Sequence, residues 1–318
     1  MTPGDDTGAG DAPAQLRDRT DRRAFLRASA VALGGMLAGV SGACAGGSSG
    51  RTDSATAARS DSAAPGAAPA GRAIGIQLYT VRTLMERDVE GTLEALAGVG
   101  YREVEFAGYF GREPRTLRQT LDRLQLAAPA THVSLDELRA HLPRVFDAAQ
   151  TLGHRYVVCP WIDEKERTLA GYRRIAGELN RWGAACRDRG MRLAYHNHEF
   201  EFARVDNVVP YDLLLAETDP AVVFMELDLF WATKAGADPL ALFTRQRRRF
   251  PLWHVKDMRG VQGPQEMVAV GEGDIDFGRI FAAAQQSGME HFFVEHDNPT
   301  DPLASARTSY RNLARVVG

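Results

Sequence analysis

Short apolar, β-rich runs alternate eight times with longer segments of helical periodicity between residue 74 and the C terminus. Strands that alternate with helices in this way predict parallel pairing with right-handed crossovers. The β-rich runs lie at 74–79, 103–106, 127–132, 156–159, 192–196, 222–228, 252–256 and 292–295. The helical segments lie at 89–98, 115–124, 135–152, 172–189, 211–217, 239–245, 277–287 and 303–316.

This repeat predicts a single α/β domain over 73–318 with the architecture of a (β/α)8 barrel, or TIM barrel. A length of about 245 residues is usual for that fold. A doubly wound open sheet is the alternative, but no glycine-rich phosphate-binding loop follows any of the strands, which favours the barrel. Glycines that end a helix just before a strand, such as Gly153 and Gly190, support the same division.

The N-terminal part of the chain has a different character. Arg22 and Arg23 belong to a segment that closely matches the twin-arginine export signature, and the uncharged run that follows it is too short to span a membrane. We expect a signal peptide over 1–45 and, because its composition cannot bury a core, a flexible linker over 46–72. Cys44 follows small residues and directly precedes the linker, which slightly favours lipidation of Cys44 over cleavage by ordinary signal peptidase. The expected location is the periplasm or a lipid anchor at the cell envelope.

The charge balance limits the classes of partner that the chain can have. The net charge is −3, with 38 basic and 41 acidic residues, which argues against a nucleic-acid partner. We expect a small-molecule substrate. The protein would contact the membrane only through a lipid on Cys44, and a homo-oligomer remains an open alternative.

Cys159 and Cys186 fall in apolar, regular segments, so we expect two buried free thiols. One disulfide between them is the alternative if the protein is exported.

Polar side chains collect where the predicted strands end, the face on which such barrels carry their active sites. Residues two apart along a strand share a face, so an ending such as Glu226-Leu227-Asp228 presents two carboxylates together. Imidazoles and carboxylates together suit Mn²⁺, Co²⁺, Zn²⁺ or Fe²⁺, and a cation also offsets the cost of burying the carboxylates. These strand-end residues are Gln77, Tyr79, Glu105, His132, His196, His198, Glu226, Asp228, His254, Lys256 and Glu295.

Five segments together resemble the sugar phosphate isomerase/epimerase family of xylose-isomerase-like TIM barrels, which also includes ketose 3-epimerases, inosose dehydratase and endonuclease IV. They are 75–82, 195–202, 226–231, 254–257 and 271–277, and the resemblance covers 73–318.

The resemblance implies one divalent metal ion, Mn²⁺ first and Co²⁺, Mg²⁺, Zn²⁺ or Fe²⁺ as alternatives, bound by His196, Asp228, His254 and Glu295. His196 stands where many relatives have Glu, which puts proton transfer between two matched glutamates in doubt. Glu201, or less readily Glu199, could supply the missing carboxylate.

The implied activity is metal-assisted proton transfer next to a carbonyl, in an isomerase or epimerase of a keto sugar or cyclitol. The alternative is a lyase that performs β-elimination on a 3-keto-glycoside or an inosose. A non-catalytic sugar-binding lipoprotein is less favoured, because a sugar site needs few ionisable groups. The expected catalytic residues are Glu295, His198, Lys256 and His132. The expected substrate-binding residues are Gln77, Tyr79, Glu105, Trp161, Glu201 and Trp231.

Overall fold

The computed structural model describes residues 72–261 and 263–318. The predicted signal peptide, Cys44 and nearly all of the predicted linker therefore lie outside the described residues. Within the described part of the chain, no helix is both long and apolar enough to cross a membrane.

Eight parallel strands close into a barrel, with the last strand returning to pair with the first. This confirms the predicted (β/α)8 architecture. Two further short strands form an antiparallel pair outside the barrel. The barrel strands are β1 (Gly75–Gln77), β2 (Glu103–Phe106), β3 (Ala127–His132), β4 (Tyr156–Cys159), β5 (Arg192–His196), β6 (Val223–Asp228), β7 (Leu252–Val255) and β10 (His291–Val294); the outer pair is β8 (Asp257–Arg259) and β9 (Glu266–Val268).

Helices surround the barrel. Short 3₁₀ turns occupy Leu78–Val81 and Glu164–Glu166. The α-helices are α1 (Arg82–Met85), α2 (Val89–Val99), α3 (Pro114–Leu124), α4 (Leu135–Leu152), α5 (Leu169–Asp188), α6 (Pro210–Glu217), α7 (Leu229–Lys234), α8 (Pro239–Arg245), α9 (Phe277–Ala282), α10 (Ala284–Ser287) and α11 (Pro302–Val317).

Several local features differ from the sequence prediction, including the following three. The first strand is short because the Gln77 side chain accepts a hydrogen bond from the Tyr79 backbone N–H and starts a 3₁₀ turn. Helix α7 was not predicted; the Asp228 carboxylate accepts from the Trp231 N–H and caps its N terminus. The single helix predicted over 277–287 is divided between α9 and α10.

Apolar side chains fill the space inside the strands and between the strands and the helices. Inside the barrel, Tyr156, Leu252 and Phe293 pack with small residues such as Ala130 and Ala194. Burying a large apolar side chain contributes about 1.5–3 kcal/mol relative to leaving it exposed. The strand ends are therefore held on a rigid, close-packed support.

Cys159 and Cys186 are buried free thiols. The expectation of two buried thiols is confirmed, and the alternative disulfide between them is wrong.

Candidate metal centre and active site

The polar strand ends meet at one face of the barrel. In the strand register His196 is paired with Glu226, and Asp228 is paired with His254, so neighbouring strands place these four residues next to one another. All four are fully buried. Their side chains, with those of Glu105, His132 and Glu295, form a cluster with two layers.

The inner layer is centred on Glu226 and Glu105. Oε2 of Glu226 lies 2.7 Å from Nε2 of His132, 3.1 Å from Nδ1 of His196 and 3.2 Å from Nε2 of His254. Oε2 of Glu105 lies 2.6 Å from Nε2 of His254 and accepts a 2.8 Å hydrogen bond from Nε2 of Gln77. These carboxylates therefore hold one ring nitrogen of each histidine.

The outer layer receives the opposite ring nitrogens. Nδ1 of His254 lies 2.6 Å from Oε2 of Glu295, and Nε2 of His196 lies 3.7 Å from Oδ2 of Asp228. His196 and His254 thus each present one nitrogen to an inner carboxylate and the other to an outer carboxylate. Metal-binding histidines typically have this arrangement, because a carboxylate behind the ring fixes its orientation and tautomer.

The outer donors fit a divalent cation. Nε2 of His196 is buried and has no hydrogen-bond partner among residues 72–261 and 263–318. Ligand atoms of Asp228, His254 and Glu295 all lie within 4.8 Å of one another. A second set with this spacing, His132, His196, Glu226 and His254, belongs to the inner layer. Among the described residues, the nitrogen without a hydrogen-bond partner, Nε2 of His196, faces the outer layer, so the outer set suits an ion better.

The protonation states of the two histidines differ. Burial and the neighbouring cationic groups hold the pKa of His196 well below its ordinary value, and a metal ligand must be neutral. Burial alone would lower the pKa of His254, but the carboxylates of Glu226, Glu295 and Glu105 raise it well above the ordinary range. Burial and the nearby Glu105 raise the pKa of Glu226 to about 7.

Lys256 and Asp297 complete the outer layer. Nζ of Lys256 lies 2.8 Å from Oε2 of Glu295, 2.9 Å from Oδ2 of Asp228 and 3.0 Å from Oδ1 of Asp297. The ammonium is fully buried. It therefore supplies positive charge to a site with three carboxylates.

Aromatic rings surround His198 next to the cluster. The ring centroid of Trp161 lies 4.8 Å from that of His198, and the rings of Phe200 and Trp231 each lie 5.7 Å from it. The His198 ring is 4.9 Å from that of His196. The predicted substrate residues Trp161 and Trp231 therefore lie beside the predicted catalytic residue His198, together with Phe200, which the sequence analysis had not assigned to the site.

The structure places Glu201 apart from both ligand sets. Its side chain is fully buried, and it accepts hydrogen bonds from the Tyr195 hydroxyl and, at 2.8 Å, from the His198 backbone N–H. Burial raises the pKa of Glu201 to about 7, even though these bonds and the nearby Arg167 favour the charged form. This geometry makes Glu201 an anchor for the loop after β5 rather than the expected substrate or metal contact.

Other predicted residues occupy supporting positions. His132 lies in the inner layer against Glu226, and Gln77 and Glu105 are bonded to each other behind His254. Tyr79 lies at the mouth in contact with Ala107. Glu199 forms a 2.9 Å ion pair with Lys234, away from the ligand sets.

The loop from 257 to 276 is organised around one carboxylate. Oδ2 of Asp257 accepts from the N–H groups of Gly271 and Gly273, and Oδ1 accepts from those of Met258 and Ile275. A Cβ atom at Gly273 would lie 2.3 Å from Oδ1 of Asp257, so this close approach requires glycine. The glycine-rich segment that follows β9 therefore packs onto Asp257, directly after Lys256 and close in sequence to His254.

Sequence reasoning counted Glu226 among the strand-end carboxylates, but it assigned neither Glu226 nor Asp297 as a metal ligand, a catalytic residue or a substrate contact. The available signal was the two-residue spacing, which places Glu226 on the same face as Asp228 and would place Asp297 with Glu295 if β10 continued. It could not show which member of each pair faces the outer layer.

Comparisons with known proteins agree with this architecture. The model of the xylose isomerase-like TIM barrel family matches residues 93–316. An inosose dehydratase of Lacticaseibacillus casei is 25% identical over 241 residues, which cover 64% of this chain and 80% of that protein.

Among solved structures, a sugar phosphate isomerase/epimerase from Parabacteroides distasonis superposes with a TM-score of 0.69 at 24% identity, covering 80% of this chain and 98% of that one. The IolI protein with a bound zinc atom superposes with a TM-score of 0.62 at 16% identity, covering 77% and 98% of the two chains. The family match extends over most of the barrel and includes every outer-layer donor. The chain therefore belongs to the xylose isomerase-like TIM barrel family.

Proposed function

We propose that this protein is a metal-dependent enzyme that removes a proton next to the carbonyl of a keto sugar or keto cyclitol, and that its reaction ends in β-elimination. The observation that carries the proposal is the outer layer, where ligand atoms of Asp228, His254 and Glu295 lie within 4.8 Å of one another and Nε2 of His196 faces Asp228 at 3.7 Å. Inner carboxylates hold both rings from behind. Mn²⁺ is the first candidate ion, and Zn²⁺ is supported by the zinc atom in the similar IolI structure.

A divalent ion held by His196, Asp228, His254 and Glu295 would polarise the substrate carbonyl and stabilise the negative charge of the enolate. Glu295 is the base, because it is the outer carboxylate that directly follows the last strand, and its Oε2 lies beside both His254 and Lys256. The Lys256 ammonium can donate a hydrogen bond to a substrate oxygen as charge develops there.

Elimination is favoured by the unlike residues His196 and Glu295 at the site. Epimerisation requires one group to take a proton and an equivalent group to return it on the opposite face, but this chain has His196 at the position where many relatives have the second Glu. In elimination Glu295 takes the proton of the C–H bond, the C–O bond to the leaving group breaks, and the C=C bond forms. The imidazole of His198, 4.9 Å from the His196 ring, is the candidate donor of the proton that the departing oxygen needs.

The similar Lacticaseibacillus casei protein is named an inosose dehydratase, which supports elimination and the cyclitol class of substrate. Isomerisation or epimerisation is the second candidate, supported by the name and fold of the Parabacteroides distasonis protein. Both reactions begin with the same proton removal, so they differ only in the fate of the enolate.

We also propose that the twin-arginine segment exports the folded protein, and that Cys44 carries a lipid. Fractionation of cells that produce the chain or its Arg22→Lys/Arg23→Lys variant tests export. An envelope location that the double substitution abolishes supports it, and a cytoplasmic location of the unchanged chain contradicts it.

The test of the reaction uses the purified chain, its metal content and NMR in D₂O with inososes, 3-keto-glycosides and keto sugars. Loss of the α-proton signal with release of water or an alcohol supports elimination. Deuterium exchange with recovery of an isomer or epimer supports the second candidate. A chain that binds metal and sugar but exchanges no proton contradicts both.

A further inference from the structure

We infer that Lys256 is an internal cation that divalent metal displaces, and that Asp297 then positions its ammonium for substrate. The inference rests on the proposed metal site and concerns two residues of this chain rather than the metal ligands themselves. It assigns Asp297 a positioning role.

The contacts of Lys256 fall on the very oxygens that a metal would need. Nζ lies 2.9 Å from Oδ2 of Asp228 and 2.8 Å from Oε2 of Glu295. The same Asp228 oxygen faces Nε2 of His196, and the same Glu295 oxygen faces Nδ1 of His254. An ammonium and a divalent ion cannot both occupy the space between these oxygens, because their charges repel and their contact distances overlap.

The carboxylates around Lys256 are buried, so they need the positive charge of its ammonium. Asp228 and Lys256 are fully buried, Glu295 is 1% exposed and Asp297 is 3% exposed. Buried carboxylates without a cation are costly, and removing one partner of a buried ion pair leaves the other charge uncompensated. Lys256 therefore allows the barrel to form before metal is bound.

Asp297 offers the ammonium a second position. Its Oδ1 lies 3.0 Å from Nζ of Lys256, and it belongs to neither set of ligand atoms. Its backbone is held as well, since Arg82 donates to the Asp297 carbonyl oxygen at 2.6 Å and Met267 Sδ lies 3.2 Å from the Asp297 N–H. When metal takes Asp228 and Glu295, Asp297 retains Lys256 beside the substrate position.

The sequence makes this movement observable, since the chain has three lysines, Lys165, Lys234 and Lys256. In protein labelled with ¹⁵N at lysine Nζ, a buried, ion-paired ammonium exchanges its protons slowly and gives an NMR signal that exposed ammonium groups lose. Titration of the full chain with diamagnetic Zn²⁺ is expected to shift the Lys256 signal in proportion to bound metal. The signal is assigned to Lys256 if it disappears in Lys256→Met, or if it remains in both Lys165→Met and Lys234→Met.

Two variants extend the test. Lys256→Met is expected to bind Zn²⁺ about tenfold more tightly in calorimetry, and its metal-free form should melt at a lower temperature that Zn²⁺ restores. Asp297→Asn is expected to lose the slow exchange of the Lys256 ammonium only in the Zn²⁺-bound state. Lys165→Met, which removes a side chain that is 73% exposed, is the control and should change none of these properties.

The failures are distinguishable. An unshifted Lys256 signal at saturating Zn²⁺, or equal Zn²⁺ affinity of the wild type and Lys256→Met, overturns the displacement and leaves the proposed metal site intact. Absence of Zn²⁺ and Mn²⁺ binding by both proteins overturns the displacement and the metal site together. An unchanged Lys256 signal in Zn²⁺-bound Asp297→Asn overturns the role of Asp297.

Discussion

Nδ1 of His196 lies 3.1 Å from Oε2 of Glu226, its partner in the register of β5 and β6. This contact turns the other ring nitrogen, Nε2, towards Asp228. An Nδ1–H that donates to this carboxylate leaves the lone pair on Nε2, and this is the tautomer that can bind a metal ion through Nε2. Glu226 therefore orients the proposed ligand His196 without being a proposed ligand itself.

Glu226→Gln is expected to weaken metal binding about 10–100-fold, since an amide holds the imidazoles of His196 and His132 less firmly. Calorimetry with Mn²⁺ and Zn²⁺ measures the change. Glu217→Gln, at a partly exposed surface carboxylate, is the matched control and should bind as the wild type does. Unchanged affinity in Glu226→Gln would show that the inner layer does not orient the ligands.

Glu295→Gln is expected to reduce proton removal from the substrate about 10²–10⁴-fold, because the amide cannot act as a base. Deuterium exchange at the α-carbon, followed by NMR in D₂O, measures this step directly. Since Glu295 is also a proposed ligand, exchange is compared at metal concentrations that saturate each protein. Exchange at the wild-type rate under those conditions would assign the base to another residue.

Much of the fold was predictable because it depends on local pattern. Eight β-rich runs and their helices give the barrel directly, and helix-ending glycines such as Gly153 mark the boundaries. The hairpin of β8 and β9 was missed. Its pairing depends on the Asp257 carboxylate, which accepts hydrogen bonds from backbone N–H groups up to 18 residues away. Such contacts leave no periodic signal in the sequence.

The candidate site was predictable as a collection of residues but not as an arrangement. Strand alternation grouped residues within each strand end, the family resemblance assigned His196, Asp228 and His254 to one ligand set, and the structure brings these three together. The same alternation could not show that Glu201 turns away to bond Tyr195, since that depends on the path of the loop after β5. Nor could it separate an inner from an outer layer, which depends on barrel closure.

The buried carboxyl of Glu201 predicts a pH dependence of stability. Burial raises its pKa from 4.5 in the unfolded chain to about 7 in the folded protein. Between these values the folded state retains a proton that the unfolded chain has lost, so stability conferred by the protonated carboxyl is complete below about pH 4.5 and falls as the pH rises to about 7. Glu201→Gln should remove this contribution.

Urea unfolding of the wild type and Glu201→Gln across pH 4.5–7.5 measures the effect as a difference, in which the contribution of Glu226 cancels. The stability of the variant relative to the wild type is expected to increase with pH over this window. A difference that does not vary with pH would mean that Glu201 is ionised throughout, as its bonds to Tyr195 and His198 would favour.

Asp257→Asn is expected to destabilise the protein by about 1–3 kcal/mol, the usual cost of a buried donor left without an acceptor. Oδ2 accepts from both Gly271 and Gly273 at 2.8 and 3.0 Å, and an amide nitrogen at that position cannot accept. In the alternative amide orientation, the N–H groups that now bond to Oδ1 lose their acceptor instead.

Urea unfolding measures the loss of stability, and hydrogen exchange should rise selectively in residues 257–276. Glu266→Gln, which alters an exposed carboxylate in the same loop, is expected to leave both unchanged. Equal stability of the two variants would show that the loop is held by its apolar contacts instead, namely the packing of Met258 against Phe230 and Trp231.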